Sequence, residues 1–411
     1  MGEPKLRFKA DDGSDFSGWE EKTLGELCAP LTYGMNAAAT KFDGENRYIR
    51  ITDIDDETHA LLPNDIVSPS GELDDKYLVK KGDILLARTG ASTGKSFLYH
   101  PKDGKLFYAG FLIKAHVLPS SDDYFIYSQT LTDRYWKWVK TASMRSGQPG
   151  INANEYASYS FAVPSLPEQR KIADFLSAVD AVIAAQQAEV DAWEQRKKGV
   201  MQKLFSQEVR FKADDGSEFP AWESVTVGEL FTFVTEKNKD GHINNVITNS
   251  AERGLVPQRE YFDKDIAVDG NTKGYTVIRK GDFVYNPRKS TSAPFGPFNI
   301  YERNEVGIVS PLYTCLTPYD DEMAPYLAWY FKTNRWHPYI VTHGAQSGAR
   351  HDRVGMTVAL MEGIPVLLPS LPEQRKIADC LASMDEVIQK SKGELAKWRK
   401  LKKGLLQQMF V

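Results

Sequence analysis

The chain says two things twice. Residues 7–14 and 210–217 both read RFKADDGS, and residues 164–174 and 369–379 both read PSLPEQRKIAD. The registers lie 203 (210 − 7) and 205 (369 − 164) residues apart in a chain of 411. The stretches between these phrases do not repeat. Two near-identical frames around two unlike inserts point to a scaffold that presents two different surfaces at a fixed separation.

The PSLPEQRKIAD phrases open the strongest periodic signal. Alternating steps of four and three from Ile172 pass through Leu176, Val179, Ile183, Gln186, Val190, Trp193, Lys197, Val200 and Leu204. Adding 205 gives Ile377, Leu381, Met384, Ile388, Ser391, Leu395, Trp398, Lys402, Leu405 and Met409. This is a coiled-coil seam written twice, with polar interruptions at matching places, Gln186 with Ser391 and Lys197 with Lys402. Trp193 and Trp398 fall on the seam and are expected to be packing residues. Ser165…Glu168 and Ser370…Glu373 fit capping boxes, with proline in the first turn. A helix from there to Phe205 is ~60 Å long at 1.5 Å per residue. Because the second insert begins where the first helix ends, helices that pack on each other must run antiparallel.

Each insert reads as a mixed α+β module. The expected strands are 47–51, 78–87, 107–117 and 159–163 in the first, with an aromatic-rich helix near 123–140. In the second they are 245–248, 275–285, 305–316 and 364–368, with a helix near 321–336. Both inserts carry a Lys-Gly-Asp turn (Lys81-Gly82-Asp83 and Lys280-Gly281-Asp282), then an apolar strand and a basic, hydroxyl-rich loop. The fold class is therefore α+β: two mixed domains, 1–163 and 207–368, separated by an antiparallel coiled coil of helices 164–206 and 369–411, with pseudo-two-fold symmetry.

Composition narrows the function. Apolar content of 42% and charged content of 26% are those of a globular protein. No apolar run reaches the ~18–20 residues needed to span a bilayer, so no membrane partner is expected. Cys28, Cys315 and Cys380 are too few and dispersed for a disulfide framework or zinc site, and a cytoplasmic location is expected. Net charge is −4, and residues 20–163 carry 16 Lys and Arg against 19 Asp and Glu. Residues 223–368 carry 15 against 17. Nucleic-acid contact must then come from local clusters or from partners that bring basic surface.

The chain resembles the specificity (S) subunit of type I restriction–modification enzymes over essentially its whole length. The carrying residues are the two LPEQRKIAD helix starts, Trp19…Gly25-Glu26-Leu27 and Trp222…Gly228-Glu229-Leu230. Gly82-Asp83-Ile84-Leu85…Arg88-Thr89-Gly90 and Ser146-Gly147-Gln148-Pro149-Gly150-Ile151-Asn152 add to them. The resemblance implies a non-enzymatic subunit with two target-recognition domains, each reading one half of a split double-stranded DNA target. It also implies helices that act as a ruler and dock two DNA methyltransferase (M) subunits, through which restriction (R) subunits assemble. Modules that face one side of a duplex want centres about 34–36 Å apart. A few unread base pairs between half-sites are therefore expected.

Four loops carry the candidate DNA contacts. The first holds Arg88, Thr89, Ser92, Thr93 and Lys95. It resembles a phosphate-cradling P-loop, but only three residues separate Gly90 from Gly94-Lys95 where the nucleotide-binding pattern needs four. Arg288, Lys289 and Ser290 occupy the matching place in the second module. Asn286-Pro287-Arg288-Lys289 resembles the amino-methyltransferase motif but lacks its second proline and following aromatic. The other two loops hold Arg145, Gln148 and Asn152, and Arg350, His351 and Arg353. Arginine pairs bidentately with guanine, and glutamine or asparagine with adenine, in the major groove. The loop Tyr33-Gly34-Met35-Asn36 is a weaker candidate. Trp136, Trp138 and Tyr135 are expected in the core, and the tail 397–403 is expected to face a partner or solvent. No cofactor, metal or catalytic residue is expected. The competing readings are a coiled-coil adaptor without a DNA role and a DNA methyltransferase or nuclease. The latter would need a cofactor site or a metal-binding carboxylate cluster.

Overall fold

The two repeated phrases meet in space. In the computed structural model, which describes residues 4–144, 148–261, 272–344 and 352–410, Arg7 reaches the start of the helix Leu166–Phe205. Its Nε and Nη2 donate to the Glu168 carboxylate at 3.0 and 2.9 Å, and Nη2 also donates to the Ser17 carbonyl at 2.8 Å. Arg210 repeats the clamp on Glu373 at 3.0 and 2.6 Å, at the start of the helix Leu371–Met409. Lys171 donates to the Lys9 carbonyl and Lys376 to that of Lys212, both at 2.8 Å. Each phrase is the other's binding partner. A fully buried carboxylate held by a bidentate arginine is well paired, so its desolvation is offset.

This clamp corrects the expected capping boxes. Glu168 and Glu373 turn to the arginines instead of back to the helix start, and the Ser165 and Ser370 hydroxyls have no partner among the described residues. Gln169 and Gln374 take over locally, donating to the carbonyls of Pro164 and Pro369 at 2.9 and 2.7 Å.

The chain divides into two compact units, Met1–Ala188 with Lys392–Val411, and Glu189–Ser391. Each holds one insert and a half of each long helix. In the first unit Ile172, Ala173 and Leu176 share a core with Leu406, Met409 and Phe410. In the second, Leu204 and Phe205 share one with Ile377, Ala378 and Leu381. Within each unit the early half of one helix thus meets the late half of the other, which is antiparallel packing. Every residue of the predicted seam is buried or partly buried. The seam lysines bridge the helices. Lys402 pairs with Asp180 at 2.6 Å in the first unit, and Lys197 pairs with Asp385 in the second. These are one bridge, displaced by 205 residues with the helices exchanging roles. The hairpin of each frame is also tied to a helix end in the same way, by Leu6 N–H to Gln408 O at 3.0 Å and Val209 N–H to Lys203 O at 3.3 Å.

Each insert is built on a four-stranded antiparallel sheet. Its order is Thr32–Tyr33, Leu112–His116, Asp83–Ala87, Ser96–Leu98 in the first unit. In the second it is Phe231–Phe233, Thr314–Pro318, Phe283–Tyr285, Phe298–Ile300. Further strands lie outside these sheets, including the parallel pairs Arg47–Ile49 with Leu106–Tyr108, and Val246–Ser250 with Gly307–Val309. The Lys-Gly-Asp turn switches the chain into the main sheet. Gly82 and Gly281 have φ of 88° and 96°, where a side chain would be strained. The buried Asp83 and Asp282 carboxylates accept from the backbone N–H of Lys80 and Arg279 at 2.7 and 2.6 Å.

Such switches break several expected strands. The run 275–285 becomes Thr276–Ile278 and Phe283–Tyr285 in different sheets, and 305–316 becomes Gly307–Val309 and Thr314–Pro318. Run 107–117 breaks at a turn over 109–111. The expected helix 123–140 is two, Asp123–Gln129 and Asp133–Ala142, because Thr132 caps the second by accepting from Tyr135 N–H. Trp138 packs among Tyr135, Tyr156 and Tyr159 as expected, whereas Trp136 stays exposed. Among the described residues no helix is long and apolar enough to cross a membrane.

Candidate nucleic-acid interface

The structure joins the four candidate loops in pairs, one pair per unit. In the first, Thr89 bridges Gly150, with Gly90 N–H donating to Pro149 O at 3.0 Å and Ile151 N–H to Arg88 O at 2.9 Å. In the second, Arg288 bridges Arg353, with Lys289 N–H donating to Asp352 O and Val354 N–H to Pro287 O, both at 2.9 Å. Counted from the glycine of the Lys-Gly-Asp turn, Thr89 (89 − 82) and Arg288 (288 − 281) hold the same position, and the hydrogen bonds match pair for pair. One backbone device therefore carries Thr and Gly in one unit and two arginines in the other.

The first loop is held from beneath. Tyr156 Oη donates to Ala87 O at 2.6 Å and Tyr135 Oη to Gly94 O at 2.8 Å. Burial pushes both phenols well above their usual range, so each stays a neutral donor. In the second unit Tyr285, raised by burial too, donates to Phe295 O at 2.7 Å.

Within this frame the expected residues divide. Arg88 is partly buried, its guanidinium stacked 4.7 Å above the Tyr33 ring, with Nη1 a long 3.5 Å from Gly110 O. Its Nε has no partner among the described residues. Gln148 is exposed beside the loop, its Nε2 facing Gly90. Asn152 caps the short helix Ala153–Ala157, accepting from Glu155 N–H at 2.9 Å, so its oxygen is engaged. Ser92 lies in the 3-10 turn Gly90–Ser92, partly buried. Arg288, Lys289 and Ser290 are exposed, and neither cation pairs with a carboxylate among the described residues. Arg353 is partly buried, its Nε 3.6 Å from the Asp352 carboxylate and without a hydrogen bond. Arg145, Arg350 and His351 lie outside the described residues.

Two expected members face inward, which corrects their assignment as contacts. Lys95 is buried, donating to Ile54 O at 2.7 Å and pairing with Asp56 at 2.6 Å, so its charge is spent inside the module. Thr93 is buried and donates to Gly90 O at 2.7 Å. Both build the loop that carries Arg88.

The geometry also brings in Phe111, which sequence reading left inside a long strand. Arg88 N–H donates to Phe111 O at 3.0 Å, and Tyr33 completes the cluster. The usable signal was the order aromatic–Ala-Gly–aromatic at 108–111, a glycine-containing turn inside an apolar run.

Residues 17–192 match the family model described as the type I restriction modification DNA specificity domain. A Methanocaldococcus jannaschii protein assigned as the specificity subunit of the type I restriction enzyme MjaX is 24% identical, covering 98% of this chain and 95% of that protein. The MjaVIII specificity subunit of the same organism is 29% identical over 38% of this chain and 36% of its own length. Among solved structures, the S subunit of a type I restriction–modification system from M. genitalium matches with a TM-score of 0.57 at 16% identity, covering 100% of this chain and 99% of that one. At that identity the likeness speaks for the fold.

Proposed function

We propose that the chain, like the type I restriction–modification specificity subunits it resembles, reads a bipartite, asymmetric double-stranded DNA target, one half with residues 1–163 and the other with 207–368. The helices 164–206 and 369–411 set the spacing and dock two methyltransferase subunits, and restriction subunits join through that complex in the cytoplasm. The chain has no catalysis of its own.

The observation that carries this reading is the matched bridge with unmatched side chains, Thr89 and Gly150 against Arg288 and Arg353. A constant mount with variable chemistry suits two readers of different sequence. In the first module Arg88 and Gln148 reach bases, while Thr89, Ser92 and Asn152 position the backbone. In the second, Arg288, Lys289, Ser290 and Arg353 contact bases and phosphates, and Arg145, Arg350 and His351, which lie outside the described residues, are DNA contacts by their sequence position. Phosphate contacts position a protein on the duplex; base-edge contacts specify the sequence.

The test is methylome sequencing of a host expressing the chain with its cognate methyltransferase. Two specified blocks separated by unspecified base pairs are expected, and one contiguous target refutes the reading. Arg353→Ala should relax one base of one block by about 1–3 kcal/mol of discrimination and leave the other block intact.

A further inference from the structure

We propose that Phe111 is a stacking wedge of the first module, entering the duplex beside the base that Arg88 reads; this rests on the DNA-reading function above. Phe111 is 64% exposed and belongs to no hydrophobic core, although it sits between the buried Tyr108 and Leu112. Folding gives no reason for a ring there.

Its mount is rigid. Leu112 N–H closes the turn on Ala109 O, and Gly110 N–H donates to Met35 O, both at 2.8 Å. The strand of Tyr33 packs so closely behind it that a Cβ on Gly34 would fall 2.2 Å from Ala109 O. Any side chain at 34 would push this turn away, so glycine is required. The ring is therefore presented by backbone that cannot easily yield, next to a guanidinium stacked on Tyr33 whose Nε is unpaired. An exposed ring on a stiff turn, with the Arg88 guanidinium 3.5 Å from the adjoining Gly110 carbonyl, is a stacking platform with a cation close by.

The second module supplies the contrast. Leu86 faces Ile113 in the first sheet as Tyr285 faces Thr314 in the second, which places Leu312, partly buried, at the position of Phe111. The wedge is a property of one module. Apolar wedges enter the stack where unstacking costs least, at pyrimidine–purine steps such as TA or CA. The half-site read by the first module should therefore contain such a step, specified by deformability without a hydrogen bond from the protein.

The experiment uses the purified complex of this chain with its cognate methyltransferase subunits and a duplex bearing the methylated target. 2-Aminopurine replaces each purine of the first half-site in turn. With Phe111 present, fluorescence should rise at one pyrimidine–purine step on binding. Phe111→Ala should abolish that rise and weaken target binding about ten-fold or more, while Phe111→Trp should keep both. A Phe111→Ala complex with unchanged affinity and fluorescence overturns the wedge and leaves the DNA-reading function standing. If the unaltered complex does not distinguish target from random duplex, the DNA-reading function itself fails, and the wedge with it.

Discussion

The two units use one frame but close it differently. In the first, the segment 51–62 folds back over the module. Lys95 holds it through Ile54 O and Asp56, and Arg399 reaches Glu57 at 2.9 Å. His59 is buried, Nδ1 3.1 Å from Ser96 Oγ, which lies 2.6 Å from Thr130 Oγ1. In the second unit the corresponding excursion is a tight hairpin, Val246–Ser250 with Gly254–Pro257. Phe298 and Thr333, at the positions of Ser96 and Thr130, instead line an open cleft of about 380 Å³ with Lys197, Met201 and Trp336. The shared frame therefore tolerates either a polar plug or an open cleft. The stability of the two units should part company wherever a buried polar group is present in only one.

The largest expected losses lie in the clamps. Trp222 Nε1 donates to the Glu373 carboxylate at 3.0 Å, whereas Trp19 Nε1 is buried without a partner among the described residues. Arg7→Ala strips Glu168 of its bidentate partner and should cost about 3–5 kcal/mol, the usual result of stranding a buried charge. Arg210→Ala leaves Glu373 one hydrogen bond and should cost about 1 kcal/mol less. Urea unfolding of the full chain measures both. Equal losses would mean that the tryptophan contact carries no energy and that the clamps are true copies.

These clamps also show what the sequence could and could not reveal. The seam from Ile172 to Leu204 was legible because periodicity is local, and each of its residues turned inward. The clamp was not, because Arg7 and Glu168 are 161 residues apart and a nearby serine offered Glu168 a local role. Strand 107–117 looked continuous because nothing in an apolar run announces a change of sheet. The candidate loops were found by their Gly, Ser and Arg content, but their pairing through Thr89 and Gly150 is a long-range backbone contact. Lys95 looked like a surface cation until Ile54 and Asp56, some forty residues away, came to meet it.

The plug in the first unit predicts a difference in acid stability. Burial pushes the His59 imidazole down from its usual 6.5 to about 4. The unfolded chain then binds this proton more readily than the folded one. Stability from a neutral His59 is complete above pH 6.5 and is lost as pH falls towards 4, by up to about 3 kcal/mol in the first unit. His59→Asn should flatten that window, since asparagine suits the φ of 57° found there and cannot charge. His337 in the second unit is lowered by burial too, so the variant, not the unaltered chain alone, isolates the first unit's share. Thermal unfolding between pH 4 and 7 reads this directly. An unchanged profile in His59→Asn would show that the plug does not couple to protons.

The smallest effect separates the two helix bridges. Lys402–Asp180 and Lys197–Asp385 are equivalent and partly exposed, so each ion pair should contribute no more than about 1 kcal/mol. Asp180, however, also accepts from Tyr124 Oη, a phenol raised by burial and by the neighbouring carboxylate. Asp180→Ala therefore leaves a partly buried hydroxyl unpaired and should cost about 1 kcal/mol more than Asp385→Ala. In a Tyr124→Phe background the hydroxyl is gone, and the two alanine variants should become equal. If the gap survives that change, its source is the helix pairing itself, and the seam is less symmetric than its repeated sequence implies.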